Sequence, residues 1–341
     1  MIGYYIHHQG RGHLNRALAI AAELDQPVVG LSSQPRPLGW IGEWIELPRD
    51  DEAAEPRDVD AEGRLHWVPL HDSGLRARMA RISQWISELS PRLIVVDVSV
   101  EVALLARLLG VPVVSVALPG IRADEAHRLG FDISTAIIAA WPQEADGMIS
   151  GLSAPARRHL SCVGAISRFG SRGGEDRLES GAGAPRRVLL LGGAGGTSLD
   201  ASMIAAARAS TPDWLWTVLG SHGGRWVEDP WPEICAADVV VTHAGQNALA
   251  DVAAARRPAI VIPESRPHDE QVTTASVLAG SSRWPAIVRW GFPETGWSAL
   301  LEEAAALDGD LWRTWNDGHG AQAAAAVIQR ELSDVATCEV A

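Results

Sequence analysis

Unbroken apolar runs alternating with helical periods constrain this chain more than any other feature. "RLIVVDVS" (92–99) and "VPVVSVAL" (111–118) flank the helical stretch "VEVALLARLLG", which ends on Gly110 and Pro112. "MIGYYIHH", "PVVGLSS", "STAIIAAW" and "LSCVGAI" read as further strands, and Leu14, Ala17, Leu18 and Ala21 recur at helical spacing after the first of them. Strands that are apolar on both faces and spaced by helices belong to parallel sheets covered on both sides. The pattern restarts with "RVLLLGG", a helix after Thr197, "WLWTVLG", "ADVVVTH", the helix "NALADVAAARR" and "PAIVIPE", and a late helix "AQAAAAVIQRELSDV" follows. Between the two series, "GSRGGEDRLESGAGAP" (170–185) has no apolar period. The expected organisation is a first α/β domain over 1–168, a linker over 169–186, a second α/β domain over 187–310, and a terminal helix and tail over 311–341. Open α/β sheets hold ligands at the carboxyl ends of their strands, so two such halves imply a cleft between them.

All 29 cationic residues among the 341 are arginine. The absence of lysine excludes a Walker A loop, a Schiff-base enzyme and a lysine general base. Any phosphate must be held by backbone amides, arginine, histidine or hydroxyls. A net charge of −13 argues against a nucleic-acid partner. No apolar run reaches the ~20 residues of a membrane helix. His7, His8, Arg11 and His13 make the start unlike a signal peptide. Cys162, Cys235 and Cys338 are odd in number and lack C-x-x-C spacing, so reduced thiols in a cytoplasmic protein are expected.

The densest chemistry lies in "VVVTHAGQNALADVAAARRPAIVIPESRPHDEQ", residues 239–271. A strand delivers His243 to its carboxyl end, and Gly245 permits a turn into a helix starting near Gln246 or Asn247. The free amides of that helix start form an anion site that needs no lysine, with His243 able to donate to a diphosphate oxygen. Asp251 lies one turn on, about 6 Å along the axis from Asn247, where a carboxylate suits two vicinal ribose hydroxyls. Glu270 and Gln271 suit hydroxyls beyond the phosphates. Phosphate, ribose and polyol along one edge describe a nucleotide sugar.

This segment resembles the donor-binding motif of GT-B glycosyltransferases: the "THCGWNS…E…P…DQ" pattern of the UDP-glycosyltransferases of natural-product metabolism and, more loosely, the carboxyl-terminal domain of family 28. His243, Gly245, Asn247, Asp251, Glu270 and Gln271 fall at matching positions. Ala248 replaces the usual serine, Asp251 the usual glutamate, and Glu270 the usual aspartate or glutamine. Losing the serine hydroxyl shifts phosphate binding toward Thr197 or Ser198. The resemblance also sets the loop "LLLGGAGGTS", with Gly193, Gly196, Thr197 and Ser198, against the donor phosphates, and makes Trp226 and Val227 candidates for reading the base. It implies a GT-B fold of two Rossmann-like parallel-sheet domains facing a central cleft, with a C-terminal helix crossing back to the first.

In the same families a glycine-containing loop leads into a helix headed by a histidine, which "GRGHLNRALAIA" matches. Gly10, Gly12, His8 and Arg16 then belong to the acceptor-side loop. An inverting transfer needs a base for the acceptor hydroxyl and a carboxylate to orient it. The resemblance assigns these roles to His13 and Asp97, with a capping or acceptor-binding histidine as the other reading of His13. His7 and His8 are expected on opposite faces of a regular strand.

Two stretches are weighed against this reading. "DVD" (58–60) sits in the acidic "RDDEAAEPRDVDAEG" with no strand before it and reads as a solvated loop, and His7, His8 and His13 have no adjoining acidic or cysteine ligand at a recognised spacing. No metal or other cofactor is therefore expected, only a UDP- or dTDP-linked sugar donor. The helix "GLRARMARISQWISEL" sets Leu75, Met79, Ile82, Ile86 and Leu89 on one side and Arg76, Arg78 and Arg81 elsewhere. Packing on the first sheet is favoured over contact of Trp85 with an anionic membrane. The 14 tryptophans are expected in core and interface packing. The expected activity is a metal-independent, inverting hexosyl transfer to a small-molecule or lipid-linked acceptor. A non-hydrolysing nucleotide-sugar epimerase and a nucleotide-binding helper of a partner transferase are the alternatives.

Overall fold

Parallel pairing is what the apolar runs produce. The computed structural model describes residues 1–170, 185–193, 199–220 and 224–338, the last with side chains through 334. Most of the expected linker, including 171–184, lies outside the described residues. In the first half the chain runs β1 (Ile2–Ile6), α1 (Arg11–Ala22), β2 (Val28–Ser32), β3 (Trp44–Glu46), α2 (Ser73–Leu89), β4 (Leu93–Asp97), α3 (Val100–Leu108), β5 (Val113–Ala117), β6 (Gly120–Ile121), α4 (Glu125–Asp132), β7 (Ala136–Ala139), β8 (Ile149–Ser150), α5 (Ala154–His159) and β9 (Leu160–Cys162). In the second it runs β10 (Arg186–Leu191), α6 (Ala201–Ala209), β11 (Trp214–Leu219), α7 (Trp231–Ala236), β12 (Val239–Thr242), α8 (Gln246–Ala254), β13 (Ala259–Val261), α9 (Glu270–Ala279), β14 (Ala286–Val288), α10 (Trp297–Ala305) and α11 (Gly320–Cys338).

Seven strands form one parallel sheet in the order β3-β2-β1-β4-β5-β7-β9, and five form a second in the order β11-β10-β12-β13-β14. Both reverse their direction of winding beside their first strand. The crevice at such a switch point is open because the flanking connections leave to opposite faces. In the first sheet it lies between β1 and β4, where Ile6 registers with Asp97. In the second it lies between β10 and β12, where Leu191 registers with Thr242. The two parallel sheets with their covering helices form a GT-B fold.

The halves are not separated by solvent alone. One apolar cluster joins Ile137, Trp141 and Met148 of the first half to Leu189, Leu249 and Ala275 of the second. Helix α11 returns to the first half, where Ala324, Val327, Ile328 and Leu332 pack with Ile2, Ala17 and Leu93. The amphipathic helix α2 packs on the sheet with Ile82, Trp85 and Ile86 buried. Trp85 is only 3% exposed and lies under β1, where a Cβ on Gly3 would come within 2.4 Å of its ring, so it offers nothing to a membrane. Arg78 departs from the expected solvated face: it is buried and bonds Tyr5, Ser33 and Asp50. Residues 58–60 form an exposed-to-half-buried turn, as a solvated loop requires. Most tryptophans are core residues, with Trp226 and Trp290 exposed. Among the described residues no helix is long and apolar enough to cross a membrane, and Cys162 and Cys235 are free thiols.

Because Ile328 is fully buried against the first half, Ile328→Ala is expected to cost about 2–5 kcal/mol despite its place near the chain end. Urea unfolding of the variant checks this, and an unchanged midpoint would contradict the packing of α11.

Candidate active site

The carboxyl ends of β1 and β4 bring His13 and Asp97 together. Gly10, with φ of 86°, turns the chain out of the strand and into α1, two residues before Gly12 and three before His13. His13 Nδ1 lies 2.8 Å from Asp97 Oδ1. A carboxylate only accepts, so His13 meets Asp97 with a proton on Nδ1, with Arg16 Nη2 also 3.1 Å from that nitrogen, and in the neutral ring this leaves the lone pair on Nε2. Asp97 is fully buried. Burial alone would raise its pKa, but Arg16 and then His13 outweigh it and hold the carboxyl well below the usual range.

Arg16 is the residue whose role the sequence understated. It clamps Asp97 through Nε to Oδ2 at 3.0 Å and through a terminal nitrogen to Oδ1 at 2.7 Å, and reaches across to Gln246 Oε1 at 3.3 Å. Its i, i+3 spacing from His13 on α1 was the available signal. His8 turns from the cleft to Asp51, at 3.1 Å. His7 and His8 do not alternate as expected: β1 ends at Ile6, and their rings stack at 5.0 Å. Burial, then the neighbouring His13 and His8, lower His7 to about 3, so it stays neutral.

Across the cleft, β12 delivers His243 and α8 begins at Gln246 with Gly245 as a cap that has no side-chain partner. The first amides of α8 are therefore left to solvent or to an anion. His243 Nδ1 accepts from Gly245 N at 3.0 Å and from Gln271 Nε2 at 3.2 Å. The proton consequently sits on Nε2, facing Gly193, where an added Cβ would come within 2.5 Å of that nitrogen. Burial first, then Arg266, lower His243 to about 4, which keeps it a neutral donor. Gln271 spends both ends of its amide, on His243 and on Glu264 N at 3.0 Å, and so fixes the tautomer of His243.

The two sides meet closely. A Cβ on Gly12 would lie 2.3 Å from Asn247 Nδ2, so any larger residue there must push the Asn247 side chain aside. One cavity of about 300 Å³ joins Gly10, Gly12, His13 and Arg16 to Gly193, His243, Gly245, Gln246, Asn247 and Asp251. Trp226, Val227, Glu270 and Gln271 line it as well. Asp97 stands behind His13 and His8 outside the lining. Gly196, Thr197 and Ser198 lie outside the described residues.

Asp251 holds two partners that the sequence did not suggest, Ser167 Oγ at 2.7 Å and Arg168 Nε at 3.5 Å, both from the end of the first half. Burial raises it to about 6 in spite of them.

The glycosyltransferase family 28 C-terminal domain profile matches residues 231–280, the segment with His243, α8 and Gln271. A UDP-N-acetylglucosamine--N-acetylmuramyl-(pentapeptide) pyrophosphoryl-undecaprenol N-acetylglucosamine transferase of Clavibacter sepedonicus is 29% identical over 307 residues, 79% of this chain and 78% of the relative. A protein of the same name from Rubrobacter xylanophilus is 29% identical over 191 residues, 49% of this chain and about half (52%) of the relative's length. Among solved structures, the glycosyltransferase of kitacinnamycin superposes with a TM-score of 0.68 at 16% identity, covering 97% of this chain and 98% of the other. MurG of Acinetobacter baumannii gives 0.60 at 15% identity, covering 96% and 99%. CalG4, the calicheamicin glycosyltransferase, gives 0.61 at 17%, covering 98% of each. The chain thus resembles family 28 and the UDP-glycosyltransferases in a GT-B fold, and the domain match and named relatives support a glycosyltransferase enzyme.

Asp251 makes a pH prediction. An acid raised from 3.8 to about 6 on folding binds more protons in the native state, so its contribution to stability falls as pH rises through that window. The loss is about 3 kcal/mol. Asp251→Asn is expected to remove it, as read from denaturation midpoints on either side of the window. Equal pH dependence in both proteins would contradict the assignment.

Proposed function

We propose that the protein transfers a sugar from a nucleoside-diphosphate donor to an acceptor hydroxyl with inversion, by direct displacement, in the cytoplasm. The observation that carries this reading is the close approach of the His13–Asp97 pair to the uncapped start of α8. A base and an anion site face each other across one cavity, as an in-line displacement requires.

The anomeric carbon would sit between them. As the acceptor oxygen attacks it, the hydroxyl proton passes to His13 Nε2 and the bond to the diphosphate oxygen breaks. Asp97 stabilises the imidazolium through Nδ1–H. Arg16 already neutralises part of its charge and fixes the carboxylate in place. The negative charge arriving on the diphosphate meets the first amides of α8 and the Nε2–H of His243. The chemistry asks nothing of a metal. Asp251, in its ionised form, accepts from the ribose hydroxyls, and Trp226 with Val227 flanks the base. Glu270 is set to bind the sugar, while Gln271 works through His243. The donor is UDP- or dTDP-linked, and the acceptor is a small molecule or a lipid-linked precursor such as the relatives' names state.

His13→Ala is expected to lower kcat by ~10²–10⁴ with donor affinity retained, as measured by product formation and by calorimetry with UDP-sugars. A near-normal rate would reassign His13 to binding. Incubation with donor alone is expected to leave the sugar unchanged, and its epimerisation would point to the alternative enzyme class. Asp251→Ala is expected to raise the donor KM more than it lowers kcat, and donor affinity of the unsubstituted protein is expected to weaken as pH falls through about 6, because protonation removes the ribose acceptor.

A further inference from the structure

Three of the 11 histidines that play no part in the transfer meet at one point of the interface between the halves. His66 comes from the loop before α2, His127 from α4, and His268 from the turn that precedes α9. One ring nitrogen from each lies within 4.8 Å of the others. All three turn a nitrogen to the same carboxylate: Asp124 takes His127 Nδ1 at 2.6 Å, His66 Nε2 at 3.2 Å and His268 Nδ1 at 3.8 Å. Tetrahedral bonds of about 2.0–2.1 Å set ligand atoms roughly 3.3 Å apart, which three ring nitrogens within 4.8 Å of one another reach by small rotations, while Asp124 holds His127 Nδ1 and leaves Nε2 of that ring to a metal. Imidazole donors suit zinc and its neighbours rather than magnesium or calcium.

We propose that His66, His127 and His268, oriented by Asp124, form a site for a zinc-class divalent metal that clasps the two halves together behind Glu270.

The backbone supports a held turn. His268 and Asp269 are consecutive non-glycine residues in the left-handed region, with φ of 58° and 54°. Gly120 of β6 fits against the turn only for want of a side chain, since its Cβ would lie 2.3 Å from His268 O. Side-chain exposures of about a third at His66, His268 and Asp124 leave an entry path from solvent. Arg122 is the competitor: its guanidinium lies 3.1 Å from His127 Nε2, and an arriving cation displaces it. The other histidine–carboxylate group, His8 with Asp50 and Asp51, is less suited. Arg49 holds Asp51 at 3.0 and 2.8 Å and Arg78 holds Asp50 at 3.0 Å, so guanidinium groups already balance both carboxylates. The bound ion lies apart from the reacting atoms. Its effect is to fix the turn that leads into Glu270 and Gln271, and so to hold the donor side closed.

Cobalt(II) titration of the metal-stripped full chain tests the site, with zinc as the displacing ion. One equivalent of cobalt is expected to give the visible bands of a tetrahedral nitrogen–oxygen centre, lost on adding zinc. His127→Ala and the solvent-exposed His268→Ala are each expected to weaken binding at least ~10-fold, with folding checked by circular dichroism. Arg122→Ala is expected to tighten it. The absence of a saturable cobalt spectrum, or a spectrum unchanged by His268→Ala, overturns the proposal, as does loss of binding in Arg122→Ala. Calorimetry of a UDP-sugar with the same metal-stripped protein keeps the two readings apart: failure there removes the donor site whatever cobalt does.

Discussion

A fully buried carboxylate governs the arrangement of this molecule. Asp97 ends a strand at the centre of the first sheet, where an unpaired charge would be costly. Arg16 and His13, one turn of helix apart, compensate it from α1. That requirement fixes the rotation of α1 about its axis and, through the second arm of Arg16, ties the helix to Gln246 at the start of α8. The same set of contacts therefore orients the candidate base, registers the two halves and keeps the anion site opposite. Removing either partner leaves a buried charge half satisfied, so the structural and chemical roles of this cluster are inseparable.

Opposite Asp97 stands a second economy of polar groups. Gln271 and the amide of Gly245 both donate to one nitrogen of His243, which forces the proton onto the other. Here an arrangement of hydrogen-bond donors decides which way an imidazole works. Gly193 and Gly245 are the two positions where the ring presses so close to the backbone that a side chain would collide. A chain with no lysine thus assembles a candidate anion site from backbone amides and an imidazole of fixed tautomer.

Much of this was legible in the sequence, for reasons that differ by element. Strands buried on both faces carry continuous apolar letters, so β1, β4, β5, β10 and β12 stood out. The three-residue β3 and β14 did not. His13, Asp97, His243 and Asn247 were readable since each sits at a strand end or helix start with a local signature. The clamp of Arg16 on Asp97, the hold of Ser167 and Arg168 on Asp251, and the meeting of His66, His127 and His268 are long-range facts. They join residues 61 to 202 positions apart, and nothing local announces them. The stacking of His7 on His8 shows the converse error: a period was assumed one residue past the point where the strand stops.

The return of α11 has a mechanical consequence. The chain passes from the first half to the second after β9 and passes back before α11, so two covalent spans bridge the halves on top of their apolar contact. Two bodies tethered at two places cannot tumble or twist freely.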